Sequence, residues 1–375
     1  MANKRRGHGE GSIYQRKDGR YTASISLGNR KRKSFYGKTR KEVQDKLKAA
    51  LHEQQQGTLV TARQQTVKQF LEGWLENTCR PIVRPLTYLQ YRSVIKVHLM
   101  PILGHVSLQK LTPEMVRGLY RRRLDEGYKP RTIGSMRGVL HRALEDAVKD
   151  GLVARNVASL AKAPRIERRD MQQVLTVEEA KKLLDVARDA SLDVLLLVAL
   201  TAGMRRGELL ALQWSDVDFG NGTLFVHRTV ARVTGRGLVV GEPKSKSGRR
   251  RIVLPLVAVD ALKEHRVRQQ EMKLAAGSDW QDGDIVFCRK NGTFFEPNTM
   301  GEKLDRLLVQ AGFPHMRFHD LRHSAATILL AAGVHPKIVQ ERLGHSSVAI
   351  TLDVYSHVLP SMQQETAKKI DDLFR

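Results

Sequence analysis

Apolar residues recur at helical spacing through the middle of the chain. The longest such run predicts a helix over residues 130–150, with one apolar face formed by Ile133, Met136, Leu140, Leu144 and Val148. The same spacing, together with capping signals, predicts three shorter helices at 67–75, 87–98 (ending before Pro101) and 112–126. These elements predict a compact helical bundle over residues 65–163, with basic residues on its faces.

Near the start of the chain the pattern changes to the alternation that is typical of strands. Three short runs bounded by turn signals, such as Asp18-Gly19, predict strands at 12–15, 21–27 and 33–36. Thr39 and Glu42 then form a capping-box pattern at the start of a predicted helix. Residues 1–58 are therefore predicted to form a small three-stranded sheet plus a helix.

A polar, basic stretch at 162–173 lacks any apolar period and reads as a linker. Residues 174–375 are predicted to form a mostly helical mixed α/β domain. Its predicted elements are a buried helix at 192–200, strands at 223–228, 237–241, 250–255 and 285–288, and helices again from Asn298. The last predicted helix, 361–375, carries an apolar stripe that packs either on its own domain or on a neighbouring protomer. The predicted fold class is mainly α with small β elements in a multidomain chain.

The charge of the chain points to a polyanionic partner. Lys and Arg total 64 against 39 Asp and Glu, a net charge of +25, and such a field concentrates polyanions. Residues 1–48 hold 15 basic and 4 acidic residues, a net +11, interleaved with aromatic residues in strand-like order. A sheet this basic can enter a DNA groove; the alternative is a solvated basic tail.

Other partners and compartments are less consistent with the sequence. No run approaches the length of apolar residues that crosses a bilayer, and the first residues lack the apolar core of a secretory signal. The two cysteines, Cys79 and Cys288, are far apart and belong to no metal or disulfide motif. We therefore expect a cytoplasmic protein with no membrane partner.

Five clusters in the third segment carry residues suited to phosphate chemistry. In chain order they are AGMRRGELL around Arg205 and Glu208, PKSKSGRRR around Lys244 and Lys246, HDLRH with His319 and Arg322, LGHSS with His345, and TLDVYSH with Tyr355. On a helix, His319 and Arg322 share one face. PKSKSGRRR lies at an apparent β-hairpin.

These residue types are what phosphodiester cleavage without a metal needs. Arginines neutralise the charge that develops on the phosphate oxygens, a lysine protonates the leaving oxygen, and histidines move protons near neutral pH. A tyrosine hydroxyl beside them is a plausible nucleophile, and a covalent ester makes religation independent of ATP. The sequence has no Walker A loop, dinucleotide fingerprint or acidic metal cluster. Taken singly, Arg205, His319, His345 and Tyr355 would each more often have a structural role.

In combination, the five clusters resemble the tyrosine recombinase, or phage integrase, family. The resemblance covers essentially the whole chain and implies an arm-type DNA-binding domain (1–58), a core-binding domain (65–163) and a catalytic domain (174–375). It implies that Arg205 and Arg322 clamp the scissile phosphate, that His319 and His345 assist, and that Tyr355 attacks to give a 3′-phosphotyrosyl link. Glu208 would brace Arg205. Ala202 departs from the family pattern, which often has Thr there.

The resemblance leaves the lysine open between Lys244, preferred by spacing, and Lys246, and it gives His323 and His357 structural roles. It implies no cofactor or metal. Its implied partners are double-stranded DNA at core and arm sites, a homotetramer in the synaptic complex, and possible DNA-bending and excisionase proteins. Two rival functions stay open from the sequence alone: a type IB topoisomerase-like enzyme, and an architectural DNA-binding protein with a dead site.

Overall fold

The computed structural model describes residues 11–26, 32–55, 64–164, 173–243, 245–355, 370–372 and 374. The chain folds into two compact units, Met1–Arg168 and Arg169–Arg375. Within the described residues no helix is both long enough and apolar enough to cross a membrane.

The first element of unit one is the predicted small sheet. Its antiparallel strands lie in the order β1 (Ser12–Gln15), β2 (Tyr21–Ser26) and β3 (Arg32–Gly37), and helix α1 (Arg40–Gln55) packs on β2. A small apolar core holds them together, built from Ala23, Ile25, Val43 and Leu47. The three strands and the helix are thus confirmed, whereas the predicted strand residue Leu27 lies outside the described residues.

The rest of unit one is a helical bundle with its own apolar core. Its α-helices are α2 (Val67–Gly73), α3 (Arg80–Ile82), α4 (Pro85–Ser93), α5 (Met100–Leu103), α6 (Pro113–Asp125), α7 (Pro130–Lys149) and α8 (Val157–Leu160). Helix α7 buries the predicted face, including Ile133, Met136, Leu140 and Leu144. The capping signal at Thr112 is also confirmed, since its side chain accepts a hydrogen bond from the Met115 amide.

The prediction that a helix ends before Pro101 is wrong. A π-helical turn, Val94–Leu99, joins α4 to α5, and the Met100 amide donates to the carbonyl of Ile95, five residues earlier. In a regular α-helix the Pro101 ring would collide with the carbonyl of Val97. The wider π turn relieves this clash and lets the helix continue. A second π turn, Trp74–Cys79, precedes Pro81 in the same way.

The side chain of Arg123 donates to two backbone carbonyls of the π turn that precedes Pro101. Arg123 is buried, and its Nη2 donates to the carbonyls of Val97 (2.8 Å) and His98 (3.0 Å). Its Nη1 donates to Glu126 at 2.5 Å. A buried carbonyl without a donor is costly, so the chain tolerates a proline in mid-helix partly through this arginine.

We therefore expect Arg123→Met to destabilise the bundle by about 1–3 kcal/mol, the cost of leaving a buried acceptor unpaired. The matched control is Arg122→Met, because Arg122 also pairs with Glu126 but its side chain is largely exposed. It should change stability by less than about 0.5 kcal/mol. Hydrogen exchange of the α6 and π-turn amides measures both; equal protection in the two variants would contradict the assigned role.

The described residues of unit two form mostly helices, with two small sheets. Its helices are α9 (Val177–Asp189), α10 (Asp193–Ala202), α11 (Arg206–Leu209), α12 (Leu256–Ala276), α13 (Pro297–Gln310), α14 (Phe318–Ala331), α15 (Pro336–Leu343) and α16 (Val348–Tyr355). Its strands are β4 (Val217–Asp218), β5 (Thr223–Val226), β6 (Thr229–Val233), β7 (Gly237–Gly241) and β8 (Arg250–Val253). Helix α10 is buried on nearly all sides and packs against α9, α12 and α14.

Two details of the sheets differ from the sequence prediction. The basic segment at 243–251 does not turn a hairpin, because β7 pairs with β6 whereas β8 pairs with β5. The segment therefore passes from one sheet to the other. Residues 285–288 form only isolated bridges, Gln213↔Ile285 and Cys288↔Phe294, since Ile285 and Cys288 face different partners. The predicted last helix is described only at residues 370–372 and 374.

Candidate active site

Arg205 sits in the turn between α10 and α11. Gly203 ends α10 with a left-handed φ of 62°, and a Cβ there would come within 2.2 Å of Leu343 Cδ2. Glycine is therefore needed both for conformation and for space. Arg205 is then the N-cap of α11: its amide donates to Glu208 Oε2 at 3.0 Å and its Nη1 to Glu208 Oε1 at 2.7 Å. The predicted brace between Glu208 and Arg205 is present.

Glu208 also binds a second arginine, which the sequence analysis missed. Arg250, at the start of β8, donates from Nη2 to Glu208 Oε2 at 3.0 Å, and the Glu208 side chain is 2% exposed. Burial by itself raises the pKa of Glu208, but the charge and hydrogen bond of Arg250, followed by those of Arg205, hold its pKa below the ordinary value. The carboxylate is thus charged and shared between two guanidinium groups.

Arg322 carries a guanidinium that the protein satisfies only in part. It lies on α14 and is 2% exposed, and its Nη1 donates to the Gly203 carbonyl at 2.8 Å. Its Nη2 is buried and has no hydrogen-bond partner in the described part of the chain. Burial, followed by the charges of Arg205 and Arg250, lowers the pKa of Arg322 to about 9. A buried cation with an unused donor is suited to an anionic ligand.

His345 lies directly after the left-handed Gly344 that ends α15. Its ring is buried, and Nδ1 is hydrogen-bonded to the Thr351 hydroxyl on α16 at 2.9 Å. Gln340 fixes the backbone by donating to the His345 carbonyl at 2.6 Å. Burial, then the charges of Arg322 and Arg205, lower the pKa of His345 to about 3, so the ring is neutral near pH 7.

His319 lies one turn before Arg322 on α14 and packs edge-on against His323, with ring centroids 4.9 Å apart. The His319 residue is nevertheless exposed to solvent. Desolvation of the packed side, then His323 and Arg322, lower its pKa to about 4. The Arg205 charge also acts on both His319 and His345. The structure therefore brings Arg205, Glu208, His319, Arg322 and His345 together.

The remaining predicted residues are described only partly or not at all. Lys244 lies outside the described residues, and for Lys246 only the backbone, in a short 3₁₀ turn, is described. The Tyr355 backbone ends α16, one helical turn after Thr351. Tyr355 is also the only tyrosine in the sequence after Tyr128.

The missed residues, Arg250 and Thr351, carry weak sequence signals. Arg250 lies on the buried face of β8 together with Ile252, whereas Arg251 and Val253 lie on the exposed face. The period of a strand thus marks Arg250 as the inward-facing member of the RRR run. Thr351 has no comparable signal, because its role depends on the contact with His345.

Gly344 borders the site at the end of α15, and we expect any side chain at this position to lower the stability of the protein. Its φ is +69°, and a Cβ there would lie 2.5 Å from the Ser247 carbonyl oxygen and 3.0 Å from Arg250 Nη1. Gly333 has a similar φ of +79° but nothing within 4 Å of its Cβ position. Gly333→Ala should therefore cost about 1–2 kcal/mol of backbone strain, and Gly344→Ala about 1–3 kcal/mol more from overpacking. Equal losses in urea denaturation would contradict this account.

The depressed pKa of His345 predicts acid sensitivity of a definite sign. Between the unfolded value near 6.5 and about 3, the unfolded chain holds a proton on this ring that the folded chain lacks. The free energy of unfolding must therefore fall as the pH falls through this window. From pH 7 to pH 5 we expect a loss of about 2 kcal/mol from this group, which His345→Gln should not show. Calorimetry at the two pH values checks this; an equal loss in both proteins would contradict it.

Comparisons with known proteins show the family of the chain. Residues 173–362 match the phage integrase family, and residues 66–123 match the N-terminal SAM-like domain of phage integrases. A tyrosine recombinase XerC-like protein of Caldanaerobacter subterraneus subsp. tengcongensis is 30% identical, with 94% of this chain and 96% of the relative covered.

Two solved structures share the fold. The Tn1549 transposon integrase in complex with transposon right end DNA has a TM-score of 0.71 at 21% identity, with coverage of 82% of this chain and 100% of that one. A lambda integrase tetramer bound to a Holliday junction has a TM-score of 0.58 at 19% identity, with coverage of 93% and 96%.

The chain belongs to the phage integrase family of tyrosine recombinases. It is a site-specific DNA recombinase, an enzyme class that cleaves and rejoins DNA, as the order of its five clusters predicted.

Proposed function

We propose that the site performs metal-independent and ATP-independent strand exchange through a covalent bond between Tyr355 and DNA. The observation that carries the proposal is the buried Arg322, whose Nη2 has no hydrogen-bond partner among the described residues and lies beside Arg205 and two neutral histidines. A phosphodiester supplies the missing acceptor and the compensating negative charge. Arg205 and Arg322 would then clamp its non-bridging oxygens.

In the proposed reaction the Tyr355 oxygen forms a bond to phosphorus and the bond to the 5′ oxygen breaks. The products are a 3′-phosphotyrosyl link and a free 5′ hydroxyl; the lysine, Lys244 or Lys246, supplies the proton to the leaving oxygen. Charge building up on the phosphate oxygens is stabilised by the two guanidinium groups. Attack by the 5′ hydroxyl of the partner strand reverses the step and rejoins the DNA without ATP.

The neutral histidines suit a role as hydrogen-bond partners of the phosphate. With Nδ1 held by Thr351, the Nε2 of His345 is left for the substrate. An anion in the site would offset the arginine charges that lower the pKa of His345 and His319. Both rings would then become better proton acceptors at the moment when the tyrosine loses its proton.

We propose a division of labour along the chain that follows the sequence prediction. Residues 1–58 would bind arm-type sites through their basic sheet, residues 65–163 would bind the core site, and residues 174–375 would carry out catalysis. The exposed Tyr14 and Tyr36 and the Arg16–Tyr36 cation–π pair on the small sheet support the first of these roles. The protein would act as a homotetramer on paired DNAs at the nucleoid and move an integrative element. A DNA-bending protein and an excisionase would set the direction.

Covalent trapping tests the chemistry. Wild-type protein is incubated with nicked duplexes tiled across the DNA flanking its gene, with EDTA and without ATP, and is then digested and analysed by mass spectrometry. We expect a DNA-linked peptide that contains Tyr355. Failure to form any adduct on DNA that the protein binds, an adduct on another residue, or a requirement for metal or ATP would refute the proposal.

A further inference from the structure

Arg250 connects three separate segments of unit two. It is 8% exposed, and each of its nitrogens has an acceptor. Nε donates to the Arg342 carbonyl at 2.6 Å, Nη1 to the Gly248 carbonyl at 3.0 Å, and Nη2 to Glu208 at 3.0 Å. With an acceptor at every nitrogen, this buried guanidinium is held by other parts of the protein.

The contact between Arg250 and Glu208 leads to the phosphate clamp. Glu208 uses one oxygen for Arg205 Nη1, at 2.7 Å, and the other for Arg250 Nη2, at 3.0 Å. The Arg205 amide also donates to this second oxygen, at 3.0 Å. The position of the buried carboxylate, and hence of the Arg205 guanidinium, therefore depends on Arg250.

The contact between Arg250 and the Gly248 carbonyl leads to the segment that carries the lysines. The Gly248 amide donates to the Ser245 carbonyl at 2.9 Å and closes a tight turn around Lys246, and Arg250 Nη1 holds the Gly248 carbonyl. The turn also lies directly against Gly344, since a Cβ on Gly344 would come within 2.5 Å of the Ser247 carbonyl oxygen. Arg250 thus holds in place the backbone that bears Lys246 and follows Lys244.

The contact between Arg250 and the Arg342 carbonyl closes the network. Arg342 lies two residues before Gly344, whose carbonyl accepts from Arg205 Nη2 at 3.1 Å. Arg342 itself donates to the carbonyls of Thr201 and Val253. The end of α15, the turn after α10 and the start of β8 are therefore joined through backbone carbonyls and two buried or half-buried arginines.

We propose that Arg250 is a positioning residue that sets the phosphate clamp and the leaving-group lysine in register with each other. This inference rests on the proposed function above. It predicts that losing Arg250 damages two chemical roles at once, stabilisation of phosphate charge and protonation of the 5′ oxygen. A purely structural role would lower stability without this double chemical signature.

Modified substrates separate the two roles. A 5′-bridging phosphorothiolate has a leaving group that departs without a proton, so it relieves a defect in the lysine. A methylphosphonate at the scissile position lacks one negative oxygen, so it relieves a defect in the clamp. Arg250→Met is compared with wild type on both and on the natural phosphate, with DNA binding and melting temperature measured in parallel. The control for loss of charge is Arg268→Met, because Arg268 is an exposed arginine on α12 that pairs with Asp193.

On the natural phosphate we expect Arg250→Met to form adduct about 100-fold more slowly than wild type, the effect of displacing a catalytic group by about 1 Å. Binding should change by less than about threefold. Each modified substrate should shrink the 100-fold ratio by about tenfold, half of the defect on a logarithmic scale. Should Arg250→Met not fold, Arg250→Lys, which keeps the charge but not the three-way geometry, is read in the same way.

Several results would overturn the inference. They are an unchanged rate in the variant, relief by neither substrate, and relief by one substrate only, since that would confine Arg250 to a single role. The failure of the proposed function looks different. In that case wild-type protein itself forms no Tyr355 adduct on the natural phosphate.

Discussion

Tyr355→Phe should bind its core DNA as tightly as wild type and form no covalent adduct. The substitution removes a single oxygen atom, the one proposed to attack phosphorus. An unperturbed tyrosine has a pKa near 10 and is a weak nucleophile, so its activation depends on the surrounding cations. Because Tyr355 is the only tyrosine after Tyr128, unit two offers no second tyrosyl nucleophile. We expect the rate to fall by at least about 10⁴-fold.

The measurement is a denaturing gel of nicked duplex incubated with each protein, alongside a gel shift at fixed salt. Tyr128→Phe is the matched control: the same oxygen is removed from a tyrosine of the bundle, whose ring lies over the Arg123 guanidinium. It should form adduct at the wild-type rate. An adduct that persists in Tyr355→Phe would mean that another residue attacks.

The sequence predicted the members of this site better than their arrangement. Arg205, Glu208, His319, Arg322 and His345 lie in short local motifs, and helix periodicity places His319 and Arg322 on one face of α14. Glycines flank two of these motifs because α10 and α15 must end in left-handed turns. Such information is local, so it can be read from the sequence.

The supporting arginines could not be predicted in the same way. Arg250 donates to a carboxylate 42 positions away and to a carbonyl 92 positions away, and Arg342 donates to a carbonyl 141 positions away. The pairing of β8 with β5 also depends on residues far apart in the chain. The sequence around 243–251 therefore predicts a hairpin that the fold does not form. Pro101 misled the prediction for a related reason, since a distant arginine, Arg123, supplies the donor that makes a mid-helix proline tolerable.

The other large effect that we expect comes from Arg322→Lys, which should slow adduct formation by about 10²–10³-fold with little change in DNA binding. The Arg322 fork serves two partners: Nη1 holds the Gly203 carbonyl at 2.8 Å, and the buried Nη2 is left for the phosphate. A lysine has one nitrogen on a flexible stem and cannot hold both in a fixed geometry. The lost donor acts where charge develops during the reaction, so the loss should appear in the rate rather than in binding.

Arg317→Lys is the matched control, because Arg317 lies just before the same helix but pairs with Asp320, and half of its side chain is exposed. Single-turnover rates at saturating enzyme, with Kd measured at the same ionic strength, separate the two effects. If Arg322→Lys weakens binding and rate equally, Arg322 is an ordinary phosphate contact and not the group that stabilises the transition state. If the control loses as much rate as Arg322→Lys, the defect lies in the start of α14 rather than in the unused Nη2, because Arg322 carries a buried donor with no partner in the described residues whereas Arg317 pairs with Asp320.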